Sequence, residues 1–191
     1  MVLRAYLDSN ILIAYFWSHY FGSDSRKTAE IVLIEKAFAK EYELVLSTFS
    51  MVELYEHFRD YYLLDKTIKQ GYGFREFSRF RNEHDLTLTS TEEMRLSGIF
   101  DDFENHDGVE MYEVEKITDK FFISLWDCIR GNIDFYDAIQ VLTAIDLKCD
   151  YFVTRDKGIR KHYEELARKH IIDNSMKMAT VSGFLKELNK L

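Results

Sequence analysis

Four carboxylates spread along the chain could together do chemistry that none could do alone: Asp8, Glu53, Asp137 and Asp156. Asp8 ends the apolar run Val2-Leu3-Arg4-Ala5-Tyr6-Leu7 and stands before Ser9, Asn10 and a second apolar run reaching Phe16. Glu53 sits in Ser50-Met51-Val52-Glu53-Leu54, Asp137 in Asp134-Phe135-Tyr136-Asp137-Ala138-Ile139-Gln140, and Asp156 in Val153-Thr154-Arg155-Asp156. Taken singly, each is accounted for as a cap or first-turn acid, since such oxygens accept from free backbone N–H groups and complement the helix dipole. The set is harder to dismiss. All four begin predicted helices, and three closely follow a predicted strand. In a parallel sheet of right-handed βαβ units those strand ends share one edge, which is where ligands bind. Carboxylates converging there without matching bases repel one another, and a bound divalent cation would relieve them. Oxygen-only ligands without His or Cys suit Mg²⁺ or Mn²⁺. The matching chemistry is metal-assisted phosphodiester hydrolysis.

The elements that must position these acids follow from hydrophobic periodicity and cap residues. A buried strand over 2–7 delivers Asp8, and a helix starts at Ser9 or Asn10. A loop is expected at 19–25, a helix over 26–40 with Ile31, Ile34 and Phe38 inward, and a second strand over 43–48. Ser50 and Glu53 have the Ser-x-x-Glu spacing of a capping box, so a helix is expected to open there. Asp134 is the expected N-cap of a helix buried through Ala138, Val141, Leu142 and Ile145, with Asp137 on the same side of its first turn. A short strand near 149–153 empties into Thr154-Arg155-Asp156 and a helix over 159–170. A last strand over 176–181 and a closing helix over 182–191 complete an α/β pattern.

Residues 60–130 read as a mainly helical elaboration of the same domain. Two apolar stripes, Leu96-Ile99-Phe100-Phe103 and Phe122-Leu125-Trp126-Ile129, have helical spacing and are assigned to the core. Between Glu92 and Asp119 ten acids face only Arg95 and Lys116. A solvated face explains them; a docking surface for a basic partner is the sharper reading. Asn105-His106-Asp107-Gly108 marks a turn.

The 191 residues fit one domain with a sizeable core. A hydrophobic fraction of 47% and mean hydropathy of −0.27 describe a soluble globular protein without a membrane span. No secretory signal is expected, and Cys128 and Cys149 lack metal-ligand spacing, so they read as reduced core thiols of a cytoplasmic protein. The chain has no proline, leaving Gly, Asn, Asp and Ser to shape its loops. A net charge of −8 argues against a wholly basic nucleic-acid-binding surface, but a carboxylate site is acidic by necessity and meets phosphate through cations.

Around the four acids the chain resembles the PIN-domain ribonucleases, including the toxins of the VapBC toxin–antitoxin type. The matching pieces are Tyr6-Leu7-Asp8-Ser9-Asn10, Ser50-x-x-Glu53-Leu54, Asp137-Ala138-Ile139-Gln140 and Val153-Thr154-Arg155-Asp156, in that order. The resemblance implies a three-layer α/β/α sandwich around a central parallel sheet, and Mg²⁺- or Mn²⁺-dependent cleavage of RNA. Asp8, Glu53, Asp137 and Asp156 would be the catalytic, metal-binding acids, with Ser9, Asn10 and Thr154 supporting them and Asp134 as an outer member. Arg155, Lys157, Arg160 and Lys161, beside the last acid, could steer RNA phosphate toward it. A toxin would have an antitoxin protein as partner, and a homo-oligomer is left open. The middle segment is longer than the compact toxins need. The rival reading is a catalytically inactive PIN-like scaffold that binds a protein or RNA. Other acid-bearing α/β modules fit less well. A phosphorelay receiver wants adjacent acids after its first strand, a haloacid-dehalogenase-type phosphatase wants an acid where Asn10 stands, and a dinucleotide-binding module wants a glycine-rich turn.

Overall fold

Alternating side chains on the central strands divide the core between two faces of one sheet. The computed structural model describes residues 2–18, 28–83, 88–113 and 118–190, apart from the side chains at 82, 83, 99, 100 and 102. Its elements run β1 (Arg4–Leu7), α1 (Ser9–Phe16), α2 (Ala29–Phe38), β2 (Glu43–Ser47), α3 (Thr48–Lys69), α4 (Phe74–Glu83) and α5 (Ser90–Glu104). They continue through β3 (Val109–Tyr112), α6 (Asp119–Arg130), α7 (Phe135–Asp146), β4 (Tyr151–Val153), α8 (Lys157–Arg168), β5 (Lys177–Ala179) and α9 (Val181–Leu188). The strands pair in parallel in the order β3-β2-β1-β4-β5. Ala5, Leu7, Leu44, Leu46, Tyr151 and Val153 point to one face and pack with α1, α2, α3, α5 and α9. Tyr6, Val45 and Phe152 point to the other and pack with α6, α7 and α8. Side chains of successive strand residues take opposite faces, and a parallel sheet covered on both sides must be apolar on both. The result is the expected three-layer α/β/α sandwich.

The chain builds outward from β1 to β2 and β3, then crosses to the other flank for β4 and β5. The reversal falls between β1 and β4, and such a switch point opens a crevice beyond the strand ends. Asp8 and Asp156 follow those two strands, and the Asp8 N–H donates to the Val153 carbonyl at 3.0 Å.

The structure adds one strand to the middle segment expected to be mainly helical, and it corrects two other expectations. First, 109–112 forms β3, pairing with β2 from Leu44↔Val109 to Ser47↔Tyr112. The predicted turn at 105–108 feeds it, and Gly108 is required there, because a Cβ would lie 2.0 Å from the Ala37 carbonyl oxygen. Second, Ser50 does not cap a helix. α3 begins earlier, with Ser47 as its cap and the Ser47 hydroxyl accepting from the Ser50 N–H. Ser50 Oγ is instead bonded to Tyr6 Oη at 2.7 Å, which also meets Ser47 Oγ at 2.5 Å. Glu53 therefore lies in the second turn, and the capping box that does form is Thr89–Glu92 on α5. Third, α6 buries Leu125 and Cys128 but exposes Phe122 and Trp126 by 61% and 51%. Two overlapping apolar stripes run along α6, and α7 covers the one through Phe121, Leu125 and Cys128. On α5, Leu96 and Phe103 are buried as predicted; the side chains of Ile99 and Phe100 and the loop expected at 19–25 lie outside the described residues.

Several acids of the middle segment are paired. Glu92 meets Lys66 at 2.6 Å, Asp107 meets Lys40 at 2.8 Å, and Glu110 meets Arg4, which also binds Glu43 at 2.8 Å. Both cysteines are buried free thiols. Among the described residues α2, α3, α6, α7 and α8 are each followed by a residue with left-handed backbone: Lys40, Gly71, Asn132, Lys148 and His170. Among the described residues no helix is long and apolar enough to cross a membrane.

Candidate active site

Asp8 leaves the centre of the sheet with its backbone extended and its side chain folded back over the start of α1. It is 2% exposed. Oδ1 accepts from Asn10 N and Ser9 Oγ, each at 3.3 Å, and Oδ2 accepts from Asn10 Nδ2 at 2.5 Å and from Thr154 Oγ1. The Thr154 hydroxyl, buried after β4, also accepts the Asp156 N–H at 2.9 Å. One hydroxyl thus ties the acid after β1 to the acid after β4. Asp156 caps α8, its Oδ1 accepting from Gly158 N and from Ile159 N at 3.2 Å. It is solvent-exposed, and among the described residues Oδ2 has no partner.

Glu53 and Asp137 reach the same crevice from α3 and α7. Asp134 caps α7 as expected, Oδ1 accepting from Tyr136 N at 3.1 Å, which leaves Asp137 in the first turn. The link between α3, α7 and α1 is Gln140, 1% exposed. Its Nε2 donates to Glu53 Oε2 at 2.7 Å and to Ser9 Oγ at 3.4 Å, and its Oε1 accepts the Ser9 N–H at 3.3 Å. In the sequence Gln140 stands inside Asp137-Ala138-Ile139-Gln140 with no role of its own to read. The available signal was an amide inside the otherwise apolar run Ala138-Ile139-Gln140-Val141-Leu142.

The electrostatics bind the acids into one field. The Asp137 carboxyl is pushed up to about 7 by burial and then by the charges of Asp8, Asp134, Glu53 and Asp156. Burial also raises Asp8, with Asp156 adding to it and hydrogen bonds from Thr154, Asn10 and Ser9 opposing. Glu53 is raised by burial, reinforced by Asp8, Asp134 and Glu56. Among the described residues no Lys, Arg or His forms an ion pair with any of the four acids. Like charges share a crevice without a countercharge from the described residues, and such a donor set suits a hard divalent cation. Asn10 Oδ1 adds a buried oxygen that has no hydrogen-bond partner among the described residues. Even so, among the described residues no three His, Cys, Asp or Glu side chains close around one point at metal-binding distance.

The predicted basic cluster is only partly directed at the site. Arg155 turns to α2 and pairs with Glu30 at 3.6 Å. Arg160 Nε donates to the Asp156 carbonyl at 3.4 Å, while Lys157 stands exposed at the start of α8 and Lys161 exposed one turn on.

A family model described as PIN domain matches residues 5–165, a span that contains all four acids. No curated protein matches the chain.

Proposed function

Because the chain belongs to the PIN-domain family, a nuclease fold that is usually metal-dependent, we propose that it is a Mg²⁺- or Mn²⁺-dependent endoribonuclease acting through Asp8, Glu53, Asp137 and Asp156. The observation that carries this reading is the group of mutually repelling carboxylates at the switch point, without a basic partner among the described residues and with Asp137 raised to about 7. A divalent ion bound there would polarise the phosphate and make a water more acidic. The chain's own part is positioning. Thr154 and Asn10 fix the Asp8 carboxylate, Gln140 fixes Glu53, and the α8 cap fixes Asp156. Asp137 carries no such tether among the described residues and is the acid best placed to change protonation near neutrality. Residues 1–191 are read as one PIN-like domain with its elaboration at about 60–130, since β3 from that segment completes the sheet.

The test is cleavage and melting of the purified protein against a panel of RNAs, with Mn²⁺ and with excess chelator. Cleavage should need the ion, and Mn²⁺ should raise the melting temperature by mass action. Undiminished cleavage in chelator would overturn the proposal. The inactive-scaffold reading draws support from one observation, that the acids do not close around a point; it expects Mn²⁺ to leave melting unchanged and RNA uncut. A toxin role is the narrower form of the nuclease reading, and expects a small DNA-binding antitoxin encoded immediately upstream.

A further inference from the structure

A cavity of about 290 Å³ opens between α3, α4 and the start of α7, and Glu53 forms part of its wall. A pocket sharing a wall with the candidate active site lies where groups flanking a scissile phosphate would lodge. Its lining is unlike a phosphate site. Glu53, Glu56 and Asp60 contribute carboxylates, and the one arginine among the described lining residues, Arg81, is already engaged by Asp60 through Nε at 2.9 Å and Nη2 at 2.8 Å. Such a wall repels phosphate but accepts N–H donors from a neutral group. Its other surfaces are three rings and an aliphatic face, from Phe49, His57, Tyr136 and Val52; burial lowers the pKa of the His57 imidazole, which favours its neutral form, and Tyr136 and Val52 are each 56% exposed. Tyr136 is propped edge-on by Phe135, with ring centroids 5.5 Å apart. Single-stranded RNA is recognised by stacking splayed bases on aromatic rings and hydrogen-bonding their edges.

The geometry points to a nucleobase subsite: one unpaired RNA base stacks on Tyr136 and presents its amino edge to Glu56. Glu56 is the acceptor left for this work, because its carboxylate makes no hydrogen bond or ion pair among the described residues, whereas Asp60 is held by Arg81. Adenine, cytosine and guanine each carry an exocyclic amino donor and uracil carries none, so uracil is the disfavoured base. Glu accepting from the cytosine amino group is an established pairing of this kind. The subsite rests on the nuclease reading above and adds a base preference next to the cut.

The experiment measures binding of a short oligouridylate, and of the same oligomer carrying one A, C or G, in Mn²⁺. The parent protein is Asp156→Asn, in which the oligomers should stay intact while Tyr136 and Glu56 are untouched. Amino-bearing oligomers should bind more tightly than oligouridylate. Tyr136→Ala should weaken binding about tenfold, in the range for loss of one base-stacking ring, and Tyr136→Phe should keep it. Glu56→Gln should level the preference among bases. Unchanged melting temperatures would show that these exposed substitutions leave the fold intact. If Tyr136→Ala binds every oligomer as tightly as the parent, or no oligomer binds the parent, the subsite is overturned. A protein partner covering this face would give the first of those results. Binding that follows the expected pattern while the wild type cleaves no RNA would uphold the subsite and sink the nuclease reading, so the two failures are distinguishable.

Discussion

Asparagine at position 156 separates capping from charge, because only Oδ1 of Asp156 serves the α8 cap. Asn caps as well as Asp, so Asp156→Asn should hold or raise the melting temperature of the chelated protein by relieving repulsion. Asp8 is different: both of its oxygens accept, so Asp8→Asn loses an acceptor, offsetting the relief by about 1 kcal/mol. In both variants the Mn²⁺-induced rise in melting temperature should shrink, and cleavage should fall about a hundredfold, the equivalent of about 3 kcal/mol of transition-state stabilisation. Variants with full metal-dependent activity would refute the assignment. Gln140→Leu tests the tether. It leaves the buried Ser9 N–H without its acceptor, which should cost about 1–3 kcal/mol in urea unfolding. It also releases Glu53, so the Mn²⁺-induced shift should shrink too. A variant with lower stability but a full metal shift would make Gln140 a packing residue only.

At the scale of elements, β3 shows how a close approach decides what a segment becomes. Val109-Glu110-Met111-Tyr112 can join the sheet because Gly108 lets the chain pass the end of α2 without a Cβ. Gly108→Ala must shift either α2 or the entry to β3, and overpacking of this kind costs about 1–3 kcal/mol. Urea unfolding should show that loss, with the four candidate carboxylates untouched. An alanine variant as stable as wild type would mean that the α2 end is free to give way. The helix that carries Glu53 is set in a similar manner: Tyr6 on β1 bonds Ser47 and Ser50, anchoring the first turn of α3 beneath the site.

For the whole molecule, the raised acids make stability depend on pH in a direction opposite to ordinary acid denaturation. Asp137 moves from 3.8 to about 7 on folding, and Asp8 and Glu53 move the same way. The folded state therefore binds more protons than the unfolded chain across that window. The resulting stabilisation is complete below the unfolded value and is lost as pH rises through about 7. Chelated protein should accordingly melt at a higher temperature near pH 5 than near pH 8 (about one unit inside the lower end of the window and one beyond the upper). Paired acids such as Glu92 and Asp107 are shifted downward, so their loss begins only at more acidic pH. The Mn²⁺-induced rise should instead grow with pH, because the ion competes with protons for the carboxylates. A chelated protein that loses stability steadily from pH 8 to pH 5 would contradict the site's electrostatics.

What the sequence by itself determined is what neighbouring residues decide. Asp8, Asp134 and Asp156 cap helices through N–H groups two or three positions away, and the apolar runs at β1, β2 and β4 announce buried parallel strands. Those signals suffice for an α/β/α sheet with acids at its strand ends. Tertiary structure decided whatever depends on partners distant in the chain. Ser50-x-x-Glu53 satisfies the local rule for a capping box, yet Tyr6, 44 positions earlier, takes the Ser50 hydroxyl and α3 starts at Thr48. Gln140 meets Ser9 across 131 positions, and no local rule assigns a partner to a buried amide. α6 offers two apolar stripes, and only the placement of α7 chooses which is buried. Caps and periodicity act within a turn or two, whereas these choices are made by surfaces that meet only after the sheet has formed.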